Sequence, residues 1–289
     1  MTKHIDTLVD DVYDMFREGL TLTGEQKTAL ATRMVEAIDR FLQKQNEVRK
    51  PSLRPSIIGY PDRKLFFMLK EDSVPEPSPS LKLNFLFGDL WESIMFYLAD
   101  LAGHEVKDEQ ASVEIDGVVG SIDGVIDGVV TDTKTAFAAN YDKFLKGTLL
   151  APEKDVYGYV GQISFYTQAY HGVDYATSEE SGYFWATNKT GNMTTLEIDP
   201  IDQIDARKRV RHVRELLTKK EPPESLCYPV EELKNGNIVA NKQCHRCPFI
   251  ERCFPDARRF QYASGVQYFT HVESTPRVEE LTRDSADDG

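Results

Sequence analysis

Apolar side chains recur at helical spacing in several stretches of the chain. Ile5, Leu8, Val9, Val12, Met15 and Phe16 predict an amphipathic helix over residues 4–20. A second helix starts after Thr23, where Gln26 three residues on completes a capping box, and its apolar face runs Leu30, Met34, Val35, Ile38, Phe41, Leu42. Both read as packing elements with no part in chemistry. A longer helix over residues 85–102 carries a stripe of Leu90, Ile94, Met95, Leu98 and Leu101, with Glu92 set away from its middle. Residues 157–170 read as a helix on which Gln162 and Tyr166, four apart, share a face. Residues 201–219 form a charged amphipathic helix whose Arg207, Arg209, Arg211 and Arg214 read as a solvated face.

Between the helices the period changes to two. Residues 106–115 alternate polar and apolar, as a first strand does, and residues 120–136 read as a hairpin around Asp127-Gly128. The aromatic strand 182–187 pairs with 194–198 across a turn at 189–192. Helices interleaved with these strands predict an α/β fold, a mixed sheet flanked by helices. On the second arm of the hairpin Asp132 and Lys134 point to one face, with Asp123 on the arm before it. Two acids and a lysine on one hairpin suit a divalent metal beside an activated water. Asp-x-Lys alone equally suits a solvated surface hairpin, so its weight comes from the rest of the chain.

Composition narrows the partners. A net charge of −13 excludes wholesale electrostatic adhesion to nucleic acid, so any DNA contact must use a local basic patch. One such patch is residues 49–64, where Arg49, Lys50, Arg54, Arg63 and Lys64 accompany a single acid, Asp62, in a proline-broken loop entering a helix near 62. Residues 72–80 are a proline-serine loop. No window approaches the roughly 18 apolar residues of a membrane span and no basic, apolar leader opens the chain, so a soluble cytoplasmic protein with no membrane partner is expected. The cysteines are Cys227, Cys244, Cys247 and Cys253, crowded as Cys-x16-Cys-x2-Cys-x5-Cys. Such crowding favours a shared metal over disulfides. Zinc ribbons use two close pairs and only one is present, which tilts the reading toward an iron-sulfur cluster. The end of the chain, residues 263–289, is expected to be a disordered acidic tail.

Taken in order, Glu92, the Gly-Ser-Ile-Asp-Gly run containing Asp123, Asp132-Thr133-Lys134, Gln162-x3-Tyr166 and Cys-x2-Cys-x5-Cys resemble the RecB-type branch of the PD-(D/E)XK nucleases. The likeness is to phage-encoded exonucleases and to CRISPR-associated exonucleases with an iron-sulfur cluster, and it covers about residues 54–254. No single motif is specific; their order is. The resemblance implies a restriction-endonuclease-like core over residues 51–220, a helical extension over 1–50 and a cysteine-rich metal segment over 221–262. It implies that Glu92 is the motif-one acid, and that Asp123, Asp132 and the backbone carbonyl of Thr133 hold one or two Mg²⁺ or Mn²⁺ ions. Lys134 would orient or help deprotonate the attacking water and stabilise the pentavalent phosphate, while Gln162 and Tyr166, with Arg54, Arg63 and Lys64, would position DNA.

The implied cofactor of the four cysteines is a 4Fe-4S cluster, with Zn²⁺ as the alternative. In the CRISPR-associated relatives a cluster cysteine precedes the core in a stretch like residues 59–64; here Pro61 stands there, and Cys227 completes the set. A three-cysteine site with His245 stays open. The implied activity is a metal-dependent exonuclease acting on DNA ends in phage-type recombination, repair or DNA degradation, in a bacterial cell or phage-infected host. By analogy its protein partner would be a single-strand annealing or recombination protein. The alternative is a non-catalytic DNA-end-binding recombination partner with a structural metal centre, against which the intact set Glu92, Asp123, Asp132 and Lys134 speaks.

Overall fold

The strand Gly182–Asn188 explains the layering of the first unit, because its side chains are buried on both faces. Tyr183 and Trp185 face Ile5, Leu8 and Val12 from the N-terminus and Met95, Phe96 and Ala99. Phe184 and Ala186 face the opposite way, toward Phe144, Ile163, Phe165 and Val210. A continuous apolar run is what a central strand needs when both sides are covered. The computed structural model describes residues 3–46, 51–70, 77–171, 180–245 and 247–282. It divides into two compact units, Met1–Tyr60 with Asp72–Glu215, and Pro61–Glu71 with Leu216–Gly289.

Numbered in chain order, the first unit contains α1 (Leu8–Arg17), α2 (Gly24–Asn46), α4 (Pro79–Leu101), β1 (Val106–Lys107), β2 (Ser112–Ile115), β3 (Val118–Ser121), β4 (Gly124–Ile126), β5 (Val129–Ala136), α5 (Ala138–Leu145), α6 (Tyr159–His171), β6 (Gly182–Asn188), β7 (Met193–Ile198) and most of α7 (Ala206–Thr218). Its sheet has the order β1-β4-β5-β6-β7. β5 and β6 run parallel and the other neighbours antiparallel. The parallel pair requires a crossover, which α5 and α6 supply. The sheet is thus mixed and flanked by helices, as expected.

Local signals explain much of this. Thr23 N–H donates to Gln26 Oε1 at 2.9 Å and Gln26 N–H to Thr23 Oγ1 at 3.2 Å, the reciprocal capping box. Asp127 and Gly128 take φ of 51° and 86°, the two left-handed residues a type I′ hairpin turn demands. The hairpin starts at Gly124, however, not at 120: Gly120 and Ser121 belong to β3, which pairs with β2 in a separate ribbon. The expected strand 106–115 is split between two sheets, because Asp108 and Gln110 adopt φ of 50° and 57° and break the extended run.

The helix expected from 85 begins at Pro79, where Ser78 Oγ accepts from Leu81 N–H and proline occupies the first turn. Residues 72–76 of the proline-serine loop lie outside the described residues, as do Arg49 and Lys50. α7 starts at 206 rather than 201, since Asp205 Oδ1 accepts from Lys208 N–H at 2.8 Å. Its arginines are solvated in part, Arg211 and Arg214 being exposed, but each also has a partner. Arg209 donates to the Ile58 and Tyr60 carbonyls at 2.9 and 2.6 Å, Arg207 and Arg211 each lie 3.4 Å from the Asp116 carboxylate, and Arg214 reaches the Asp116 carbonyl. Nor are residues 1–50 a separate extension, for Ile5, Leu8 and Val12 complete the core under the sheet.

The second unit contains α3 (Asp62–Lys70), β8 (Glu231–Glu232), β9 (Ile238–Val239), α8 (Ile250–Cys253), β10 (Arg258–Tyr262), β11 (Gly265–His271) and β12 (Glu280–Leu281), with sheet order β12-β10-β11-β9-β8. Phe66, Phe67, Leu216 and Phe249 form one cluster, against which Cys247 and Cys253 pack; Val239, Phe260 and Phe269 form another. The expected tail over 263–289 is corrected by this sheet as far as Leu281, while residues 283–289 lie outside the described residues. Phe260 and Phe269 alternate with polar neighbours on either side of a turn at Gly265, φ 116°, and both are buried. Residues 61–71 also join the cysteine unit instead of the expected core. Among the described residues no helix is long and apolar enough to cross a membrane.

In the site's scaffold an added Cβ at Gly124 would lie 2.5 Å from Phe96 Cε1 of α4. Gly124→Ala is expected to lower unfolding free energy by about 1–3 kcal/mol through overpacking. Gly24→Ala, which would meet nothing within 4 Å at a helix start, serves as its control in urea titrations and should not destabilise.

Candidate functional site

β5 places the site's charged pair. Val130 packs into the core beneath α6, so with a period of two Asp132 and Lys134 follow on that face, opposite Phe184 and Ala186 of β6. Lys134 Nζ makes an ion pair with Asp132 Oδ2 and donates to Gln162 Oε1 at 3.3 Å. It also lies 5.0 Å from the Tyr159 ring centroid and 5.9 Å from that of Phe184. Gln162 Nε2 in turn donates to Tyr166 Oη at 3.3 Å. Asp123, just before β4, accepts on Oδ2 from Thr133 N–H at 2.7 Å and from Thr133 Oγ1 at 3.1 Å. Glu92 of α4 accepts on Oε1 from Gln110 Nε2 at 2.6 Å.

The electrostatics tie these residues together. Asp132 is 1% exposed, and beyond the Lys134 ion pair neither of its carboxylate oxygens accepts a hydrogen bond from the described residues. Burial pushes its pKa up to about 7 against the pull of the Lys134 ammonium, and Asp123 raises it further. Burial likewise raises Asp123, opposed by Lys134 and by the Thr133 hydrogen bonds. Glu92 is raised well above the ordinary range by burial first, then by the charges of Asp123, Asp89 and Asp132. Burial alone would lower the Lys134 ammonium, but Asp132 and Asp123 outweigh it and its pKa rises. The arrangement is a set of carboxylates around one cation, Asp132 buried and Glu92, Asp123 and Lys134 half-buried.

Glu92, Asp123, Asp132, Thr133, Lys134, Gln162 and Tyr166 are therefore brought together. Gln162 and Tyr166 are 8% and 6% exposed, so they back the site from the interior. Arg54 precedes the short 3-10 helix Pro55–Ile57, its carbonyl accepting from Ile57 N–H at 3.2 Å. Arg63 and Lys64 belong to the cysteine unit instead. Sequence reasoning missed Gln110, whose side chain holds Glu92 while its own N–H donates to the Asp123 carbonyl at 3.2 Å. No periodicity marks a glutamine in a left-handed turn. It also missed Asp89, raised by burial against the pull of Lys44 and Arg40. That one was legible, since it stands one helical turn before Glu92.

In the second unit all four cysteines are free and half-buried. Burial raises the Cys244 thiol to about 12, with Cys247, Cys227 and Cys253 adding to it. Arg63 Nε donates to Cys253 Sγ at 3.3 Å and its other end reaches the Pro223 carbonyl. Burial lowers Lys64, while Cys247 and Cys227 pull it back up. His245 Nε2 lies 3.3 Å from the Ala240 carbonyl. Among the described residues no group of three or more His, Cys, Asp or Glu side chains stands in a metal-holding arrangement.

No protein-family model and no curated protein matches the chain. A solved structure titled "Crystal structure of SSO0001" matches with a TM-score of 0.41 and 13% identity, over 76% of this chain and 92% of that one. A likeness that distant carries no argument about this chain.

The raised carboxylates make a stability statement. Asp132 titrates near 7 when folded against an ordinary 3.8, and Asp123 and Glu92 shift the same way. The folded state therefore holds more protons than the unfolded one between about pH 4 and 7, and in chelator these groups subtract stability as pH rises through that window. Glu92→Gln keeps an acceptor for Gln110 and removes one repelling charge. In chelator at pH 8 its Tm should exceed that of the unsubstituted chain by about 4 °C, and the gap should close toward pH 5; equal values at pH 8 would refute the assignment.

Proposed function

We propose that the chain is a divalent-metal-dependent deoxyribonuclease with a PD-(D/E)XK core of the RecB type, acting on DNA ends. The observation that carries this is Asp132, a carboxylate 1% exposed whose Oδ2 is paired with Lys134 Nζ on the same strand face and whose Oδ1 has no polar partner among the described residues. A buried carboxylate with one oxygen left unpartnered is costly unless a further cation completes it. Asp132, Asp123 and Glu92 offer the hard oxygen donors that Mg²⁺ or Mn²⁺ prefers, and the Thr133 carbonyl remains the fourth candidate. When bound, such an ion would offset phosphodiester charge and supply hydroxide at neutral pH.

The chain's own residues then divide the work. Lys134, held as an ammonium by Asp132 and Asp123, has no lone pair with which to take a proton. Its role is to orient the attacking water and donate to the phosphate as charge builds there. Gln162 fixes Lys134 Nζ from the side, and the buried Tyr166 fixes Gln162. Digestion of DNA in Mg²⁺ or Mn²⁺ tests the reading. Linear DNA should be degraded and circular DNA spared, with Asp132→Ala and Lys134→Ala each slowing the reaction at least about a hundredfold. A protein that binds ends but cuts neither substrate would instead be the non-catalytic recombination partner.

The cysteines support a tetrathiolate centre in the second unit, and we propose a 4Fe-4S cluster on the strength of their spacing. Arg63 and Lys64 would there offset the charge of four thiolates, a role in place of direct DNA contact. Protein purified without oxygen should show visible charge-transfer absorption that Cys247→Ser removes; one zinc per chain and no colour would reassign the centre.

A further inference from the structure

The acid cluster repels the substrate it would have to hold. In a chain of net charge −13, a phosphodiester approaching Glu92, Asp123 and Asp132 needs cations outside the cluster as well as Lys134 within it. α2 provides them. Lys44 Nζ lies 3.9 Å from Asp89 Oδ2, and Arg40 Nη2 lies 3.4 Å from the oxygen of Ser93, the residue after Glu92. Arg40 and Lys44 are four apart and so form one row along the helix. The Lys44 side chain is 47% exposed, and an ion pair that loose and that solvated is worth little. Its charge is nevertheless felt by Asp89, Glu92 and Asp123 together.

α4 adds the second component. Leu81, Phe85, Asp89 and Glu92 stand at spacings of four, four and three, one face of the helix. The stripe begins with exposed apolar groups, Leu81 at 43% and Phe85 at 46%, and ends at the acids. An aromatic ring left in water one helical turn from Asp89, which Lys44 meets, joins the two components that bind single-stranded nucleic acid, a ring to stack on a base and cations to track the backbone. A duplex covers the faces of its bases, so Phe85 has nothing to stack on there.

We propose that Arg40 and Lys44 of α2 and the Leu81–Phe85 stripe of α4 form a track for one nucleic-acid strand, phosphates on the cations and a base on Phe85, leading to Glu92. Where the strand leads rests on the nuclease reading; that it binds does not. The physical basis is the continuity of this face with the carboxylates and its charge complementarity to a phosphodiester. The other occupant of an exposed apolar face, a second copy of the chain, is an outcome of the test.

Fluorescence anisotropy of a labelled 15-nucleotide oligothymidylate and of a blunt duplex, in EDTA so that nothing is cut, reads the track directly. The single strand should bind tighter than the duplex. Phe85→Ala should weaken it about tenfold. The double variant Arg40→Ala, Lys44→Ala should weaken it and reduce the slope of log affinity against log salt by about 1.4, the value for two lost phosphate contacts on a single strand. Lys44→Ala alone, at an exposed position, guards against misfolding and should give about half that change. Variants that bind like the unsubstituted chain, equal affinity for the duplex, or a Phe85→Ala effect confined to the oligomeric state would each overturn the track. Cleavage in Mg²⁺, lost in Asp132→Ala, judges the nuclease reading separately: intact cleavage with unaltered binding in the track variants sinks only the track, and altered binding without cleavage sinks only the nuclease.

Discussion

Three carboxylates and one ammonium drawn wholly or partly out of water set the terms for the first unit. Burial raises Glu92, Asp123 and Asp132, Asp123 adds to the rise of the other two, and Lys134 answers with a single charge. Bringing such groups together costs free energy that the packing around them must offset. The offset comes from a strand with apolar side chains on both faces. Trp185 and Tyr183 lock α4 and the N-terminus on one side, and Phe184 and Ala186 lock α5, α6 and α7 on the other. Gly124 lets Phe96 close against β4, which brings Glu92 on α4 within reach of Asp123.

The turn between β1 and β2 is the second point on which the site hangs. Its three successive residues each engage a different helix. Asp108 accepts from Tyr170 of α6 at 2.5 Å, Glu109 takes a two-pronged hydrogen bond from Arg33 of α2 at 2.6 and 2.7 Å, and Gln110 holds Glu92 of α4. Two of the three are in left-handed conformations, which is what lets adjacent side chains diverge so far. α2 thereby becomes more than packing, since the same helix that grips this turn lays Arg40 and Lys44 beside the acids.

The second unit gathers its own polar chemistry. α3 contributes Arg63 and Lys64 to the thiols and Phe66 and Phe67 to the apolar cluster beside them. A patch that reads as DNA-facing in a linear sequence is thus drawn toward sulfur, because helical spacing puts the two cations and the two phenylalanines of one short helix into the same neighbourhood.

Much was legible in the chain itself. The Thr23-Gln26 box, the Asp127-Gly128 turn, the aromatic strand and the shared face of Asp132 and Lys134 are local, and local stereochemistry decides them. The Gln162-Tyr166 pairing follows from helical period alone. Tertiary structure decided the rest. It split residues 106–115 between two sheets, turned Arg207, Arg211 and Arg214 onto Asp116 and placed the strands Gly265–His271 and Glu280–Leu281 in a sheet where polar composition suggested a tail. It also chose Gln110 and Asp89 as neighbours of Glu92. The physical reason is one of range. Period and capping act across a few residues, whereas the partner of a buried charge is whichever group the packing of distant segments leaves beside it.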